Sequence, residues 1–132
     1  PMNERNCLVA ACVAMFVAVG AGAFGAHALK TTLAPEMLAT WHTAVQYQAW
    51  HALALFGTGL LLAARRGDAA RARWAASLFA AGIVLFSGSL YLLALTGQRW
   101  LGAVTPLGGA AWLAGWLLLG WAIARPRASR AP

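Results

Sequence analysis

Eight polar side chains stand in otherwise apolar surroundings in this 132-residue chain: His27, Tyr47, Gln48, His51, Ser87, Ser89, Tyr91 and Thr105. Three chemistries suit such residue types. Two imidazoles can ligate a haem iron, a serine beside an imidazole can hydrolyse an ester, and neutral donors and acceptors can hold a small molecule. Spacing argues against the first. On a helix His27 lies only about 5 Å below Lys30, so it differs from His51 in depth by roughly 10 Å unless the helices tilt or break. The second lacks an orienting acid. Glu4, Glu36 and Asp68 are the only carboxylates and all lie outside the apolar stretches, and no nucleophile-elbow spacing surrounds Ser87 or Ser89. The same shortage removes the usual carboxylate of a proton- or cation-coupled transporter. A channel of neutral residues would need several copies of the chain to enclose it. Gly20, Gly22 and Gly25 match G-x-G-x-x-G, but inside an apolar helix rather than after a strand, so no dinucleotide fold is implied. Walker, HExxH and cysteine–histidine zinc patterns are absent from the sequence. The chain is therefore expected to be non-enzymatic, with no metal and no cofactor.

The elements that must position these groups are membrane helices. Apolar residues make up 61% of the chain and charged ones 10%, with mean hydropathy +0.67, whereas a soluble domain carries roughly 25% charged residues. Four runs without a charge, about 7–29, 41–64, 74–96 and 106–124, each meet the length needed to cross roughly 30 Å of hydrocarbon. The expected fold is an all-α membrane protein, one integral membrane domain over residues 1–132. Short connections make it an up-down antiparallel bundle of four transmembrane helices. Pro35 suits the first position of a helix and Glu36 its positive end, so the second helix is expected to begin ahead of its span. Gly97 should stop the third span. Thr105-Pro106, a hydroxyl before a first-turn proline, should start the fourth. The tail 125–132 is basic and expected to be flexible.

A formal charge of +7 sits beside the span ends rather than on one solvated face, which points away from nucleic acid. Arg5, Arg65, Arg66, Arg71, Arg73, Arg125, Arg127 and Arg130 fall on one side, Lys30 and Arg99 on the other. The positive-inside rule then puts both termini in the cytoplasm, N-in and C-in. Trp41 and Trp100 fall near the expected outer interface, Trp74 and Trp121 near the inner one, and Trp50, Trp112 and Trp116 deeper. An Ala- and Arg-rich chain of this kind suits a bacterial inner membrane. The first run is longer than a signal-peptide core of about 7–15 residues and is expected to be retained. Cys7 and Cys12, five residues apart on one helix, are too far apart to bridge.

Ala10, Ala14, Ala18, Gly22 and Ala26 recur every four residues and read as a helix-packing stripe. The eight polar groups gather in the outer half of the bundle. Tyr47, Gln48 and His51 share an arc of about 100°, with His42 and Gln46 pointing away. Ser87 and Ser89 lie at a similar depth to Gln48 and His51, so the four are expected to meet. Two functions follow. One is a hydrogen-bond network that fixes helix register in a structural or accessory membrane subunit, surrounded by membrane lipids and packed in a homo-oligomer or a larger complex. The alternative is a polar pocket that binds or conducts a small apolar or amphipathic molecule, such as a lipid or quinone, entering from the outer leaflet beside His51 and Gln48.

Four segments carry a resemblance: Gly22-Ala23-Phe24-Gly25-Ala26-His27-Ala28-Leu29, Tyr47-Gln48-Ala49-Trp50-His51, Phe86-Ser87-Gly88-Ser89-Leu90-Tyr91 and Thr105-Pro106-Leu107-Gly108-Gly109. In order and over nearly the whole chain, they resemble the domain of unknown function 423 family of small YgdD- and YwdK-like membrane proteins. That resemblance implies a four-helix integral membrane protein, in bacteria placed in the inner membrane, and implies no particular activity. The matching residues are largely the outer-half polar set; His42 and Gln46 fall outside it.

Overall fold

A computed structural model describes residues 1–125. It consists of α1 (Glu4–His27), a short 3-10 turn (Leu29–Thr31), α2 (Pro35–Ala63), α3 (Ala69–Gly82), a π-helical segment (Ile83–Ser87), α4 (Gly88–Thr96) and α5 (Leu101–Ala124). The π segment joins α3 to α4 without a break, so residues 69–96 form one long helical arm. Three stretches are long and apolar enough to cross a membrane: Glu4–His27, Ala69–Thr96 and Leu101–Ala124. Although α2 has 29 residues, His42, Gln46, Gln48 and His51 make it more polar than the other three. The expected tail falls, apart from Arg125, outside the described residues.

Local chemistry sets the helix ends. Asn3 caps α1 by accepting from the Asn6 amide at 2.8 Å, and Asp68 caps α3 by accepting from the Arg71 amide at 3.1 Å, each satisfying an otherwise orphaned donor. Pro35 takes the first position of α2, as its fixed φ and missing amide favour. After α2, the Arg65 amide bonds the Leu62 carbonyl and the Arg66 amide the Leu61 carbonyl, a Schellman closure with Arg65 left-handed at φ 53°. Gly97 ends α4 at φ 69°, its amide on the Leu93 carbonyl; glycine takes this conformation without a Cβ clash. The start of α5 differs from the expectation. Helical bonds begin from the turn at Gln98–Trp100, so the helix opens at Leu101 and Pro106 lies inside it. Pro106 omits only the amide bond to Gly102, and Thr105 is released from capping to pair with another helix.

The helices alternate in direction. The Met2 amide donates to Ser77 Oγ at 3.0 Å and the Asp68 amide to the Ala122 carbonyl at 2.9 Å. The N-terminus, the α2–α3 loop with the start of α3, and the end of α5 therefore share one end of the bundle. Helix α2 is central: α1 lies against it on one side, the α3–α4 arm on the other, and α5 covers the arm. The main core gathers Cys7, Ala11, Leu55, Ala75, Ala76, Phe79, Trp112 and Leu119.

Close approach depends on small residues, though the contact line on α1 is not the expected stripe. Ala18 is buried, Ala10, Ala14 and Gly22 are half-buried, and Ala26 is exposed. The buried line runs Cys7, Ala11, Ala18, Gly25. A strict four-residue step rotates about 40° each time, so a stripe that starts on one flank of the interface leaves it on the other. Gly25 admits the Trp41 indole and Gly59 the Leu8 side chain; a Cβ would stand 2.6 and 2.7 Å from them.

Candidate functional site

Gln48 ties three helices. Its Nε2 donates to the Ala14 carbonyl on α1 at 2.8 Å, and its Oε1 accepts from the Tyr91 hydroxyl on α4 at 2.8 Å. A carbonyl only accepts, so the Ala14 contact fixes which end of the amide faces α1 and leaves the oxygen for Tyr91. Trp41, one i,i+7 step toward the N-terminal end of α2, donates to the Ala21 carbonyl at 2.8 Å and lies 4.6 Å from the Tyr91 ring. Trp41 is thus buried between helices.

His51 faces the other way, toward α5. Its Nδ1 bonds the Tyr47 carbonyl at 2.7 Å, and its Nε2 accepts from Trp116 Nε1–H at 3.2 Å. The first partner only accepts and the second only donates, which selects the neutral tautomer with the proton on Nδ1. The imidazole lies on the Trp112 indole with centroids 3.7 Å apart and planes 4° apart. Trp112 Nε1 donates in turn to the Phe79 carbonyl at 3.1 Å, and Gly82 leaves room for its ring. With both nitrogens occupied, His51 has no lone pair left for an iron or for a serine proton.

The serines make separate ties. Ser87 Oγ donates to the Ala44 carbonyl at 2.8 Å, joining the π segment to α2. Ser89 Oγ donates to the Phe86 carbonyl at 2.9 Å and lies 2.7 Å from Thr105 Oγ1, joining α4 to α5. Gln48, His51, Ser87 and Ser89 are all buried, yet none bonds another: the four expected to meet are bonded to four different partner sets. Tyr47 contributes its carbonyl to His51, while its ring lies at the bundle edge 5.0 Å from Phe86. His27 ends α1 and is exposed. His42 and Gln46 are exposed, on the face the helical wheel assigned them.

Sequence reasoning did not find Trp41, Trp112, Trp116 or the Ala14 carbonyl. The depth of Trp112 and Trp116 was legible, but their contact with His51 joins residues more than 60 positions apart. Among the described residues, no group of three or more His, Cys, Asp or Glu side chains gathers. Cys7 donates to the Leu55 carbonyl at 3.1 Å and Cys12 is exposed, both as free thiols.

Beside the Gln48 tie, α1 and the α3–α4 arm splay apart over α2. The groove between them has a volume of about 450 Å³ and is lined by Ala10, Val13, Ala14 and Val17, by Gln48 and Leu55, and by Ala80, Ile83, Val84, Gly88 and Tyr91. His51 is not part of it, so the ligand site expected beside both Gln48 and His51 divides into two environments. At the end of the bundle that holds the N-terminus, Asp68 is ion-paired with Arg71. The amide and then the guanidinium of Arg71 hold its carboxyl below the usual carboxylate range. The Arg71 and Arg125 guanidinium groups lie 4.7 and 5.3 Å from the Trp121 ring, within cation–π range.

Comparison with known proteins agrees with a membrane protein. Residues 21–109 match the family described as Protein of unknown function (DUF423). The chain is 48% identical over 105 residues to the UPF0382 membrane protein YwdK of Bacillus subtilis, covering 78% of this chain and 83% of that one. It is 42% identical over 118 residues to the UPF0382 inner membrane protein YgdD of Escherichia coli, covering 89% and 88%. A Staphylococcus haemolyticus relative, UPF0382 membrane protein SH2409, is 46% identical over 103 residues, covering 78% and 82%. No solved structure matches the chain. The apolar helices, the buried polar ties and these similarities converge: the chain is an integral membrane protein and belongs to the DUF423 family of proteins of unknown function.

Proposed function

We propose that the protein is a non-enzymatic, four-span inner-membrane protein with both termini cytoplasmic, serving as a structural or accessory subunit of a homo-oligomer or a larger membrane complex. One observation carries this reading. Among the described residues no buried side-chain nitrogen or oxygen lacks a hydrogen-bond partner, so each buried polar atom that could otherwise do chemistry already makes a bond, and Gln48, His51, Ser87 and Ser89 use theirs to hold helices. Helix α2 is counted as the fourth span because its deeper polar side chains, Gln48 and His51, turn inward to α1, α4 and α5, leaving Leu53, Phe56 and Leu60 exposed toward lipid, while the exposed His42 and Gln46 lie nearer the start of the helix. The arginine-rich end supports the orientation, since Arg65, Arg66, Arg71 and Arg73 lie in or beside one loop. The YgdD relative's designation as an inner membrane protein supports the location.

Two measurements test the reading. Single cysteines at Thr32 and Arg66, in a chain with Cys7 and Cys12 replaced by alanine, should be labelled by an impermeant maleimide from outside at position 32 and not at 66. Labelling at 66 in intact cells reverses the topology. In-membrane crosslinking should return a defined oligomer or partner; monomer alone at every crosslinker length removes the subunit role.

A further inference from the structure

The groove between α1 and the α3–α4 arm carries a feature the ties do not use. A glutamine amide nitrogen has two hydrogens, and Gln48 Nε2 makes one bond, to Ala14. Tyr91 already occupies the amide oxygen. The second hydrogen has no acceptor among the described residues, and Gln48 lines the groove. Apart from Gln48 and Tyr91, the groove wall is aliphatic. Its wall on the arm includes part of the π segment, and such single π turns inside α-helices recur at functional sites. Gly88 leaves that wall open, since a Cβ there would meet nothing within 4 Å. The volume, about 450 Å³, falls within the roughly 300–1,000 Å³ usual for small-molecule sites.

Depth selects the kind of occupant. Gln48 lies 13 residues from the first residue of α2 and 15 from the last, and Ala14 is similarly central in α1. Both are therefore near the middle of their helices, with Gln48 about 20 Å of helix from either end of α2, deep enough to lie within the hydrocarbon rather than among the headgroups. A phospholipid keeps its ester carbonyls in the interfacial region outside the hydrocarbon. A quinone-type molecule carries ring carbonyls into the hydrocarbon on an apolar tail. We propose that the groove binds such an amphiphile, with one ring carbonyl accepting from Gln48 Nε2 and the tail lying along Ala10, Val13, Ile83 and Val84. This goes beyond the subunit role and does not rest on it.

The test uses the full chain in nanodiscs with a decyl-substituted benzoquinone as probe, read by native mass spectrometry and equilibrium dialysis. Wild-type protein is expected to bind one molecule saturably. Gly88→Leu, which fills the open wall, should weaken binding by about tenfold or more at unchanged melting temperature. Val84→Phe, at the exposed rim, gives an independent filling variant should Gly88→Leu fail to fold. Absence of saturable binding, equal affinity in a folded filling variant, or displacement of the probe by dioleoyl phosphatidylglycerol at stoichiometric levels would overturn the proposal.

Discussion

The His51 imidazole lies flat on the Trp112 indole, 3.7 Å between centroids and 4° between planes, while Trp116 donates to its Nε2. This joins α2 to α5 through a ring contact and a hydrogen bond on the same side chain. His51→Ala removes both and leaves a hole beside Trp112. We predict a loss of about 2–4 kcal/mol in unfolding free energy, from cavity formation with the smaller polar contribution added. Tryptophan fluorescence during denaturation in mixed micelles checks it; a change under about 0.5 kcal/mol, the range of inconsequential surface substitutions, would show that the stack contributes nothing.

Glycine substitutions should divide sharply by position. A methyl at Gly82 would enter the Trp112 indole, and one at Gly108 would strike the Phe86 backbone, whereas at Gly120 it meets nothing within 4 Å. Gly82→Ala and Gly108→Ala are expected to destabilise by about 1–3 kcal/mol or more through overpacking. Gly120→Ala should be neutral or stabilising by up to about 1 kcal/mol, because a helical glycine loses more backbone entropy than alanine. Thermal melts of the three variants side by side decide this, and equal effects at all three positions would refute the interhelical approach.

Asp68 makes the start of α3 sensitive to acid. Its carboxyl is held below the ordinary value by the Arg71 amide and guanidinium, so the stabilisation is fully present above the unfolded value of about 3.9. It is lost as pH falls through the lower folded value. Wild type should therefore lose melting temperature on acidification below about pH 4. Asp68→Asn keeps a good cap but cannot titrate, and should lose less over the same range. Identical acid profiles for the two proteins would remove Asp68 from the pH response.

Much of this architecture was legible because single residues announce it. Pro35 marked the start of α2, Gly97 the end of α4, and the helical wheel separated Gln48 and His51 from His42 and Gln46. What was not legible depended on geometry between helices. The small-residue spacing on α1 gave a stripe, but a four-residue repeat drifts around the helix, and only the partner's shape selects Cys7, Ala11, Ala18 and Gly25. Thr105-Pro106 had the form of a helix start, yet the turn at Gln98–Trp100 nucleated α5 earlier. Equal depth suggested one cluster of Gln48, His51, Ser87 and Ser89. Backbone carbonyls of Ala14, Ala44, Tyr47 and Phe86 instead took one bond from each, and carbonyl placement is invisible in side-chain patterning.

The central claim is that buried polar side chains act as ties between helices, and the Gln48–Tyr91 bond tests it most directly. Unfolding free energies in bicelles for wild type, Gln48→Leu, Tyr91→Phe and the double variant form a closed cycle. A coupling energy of about 0.6–1.7 kcal/mol, between the average and the maximum measured for hydrogen bonds between membrane helices, is expected. Additive single-variant effects, with coupling indistinguishable from zero, would contradict the account.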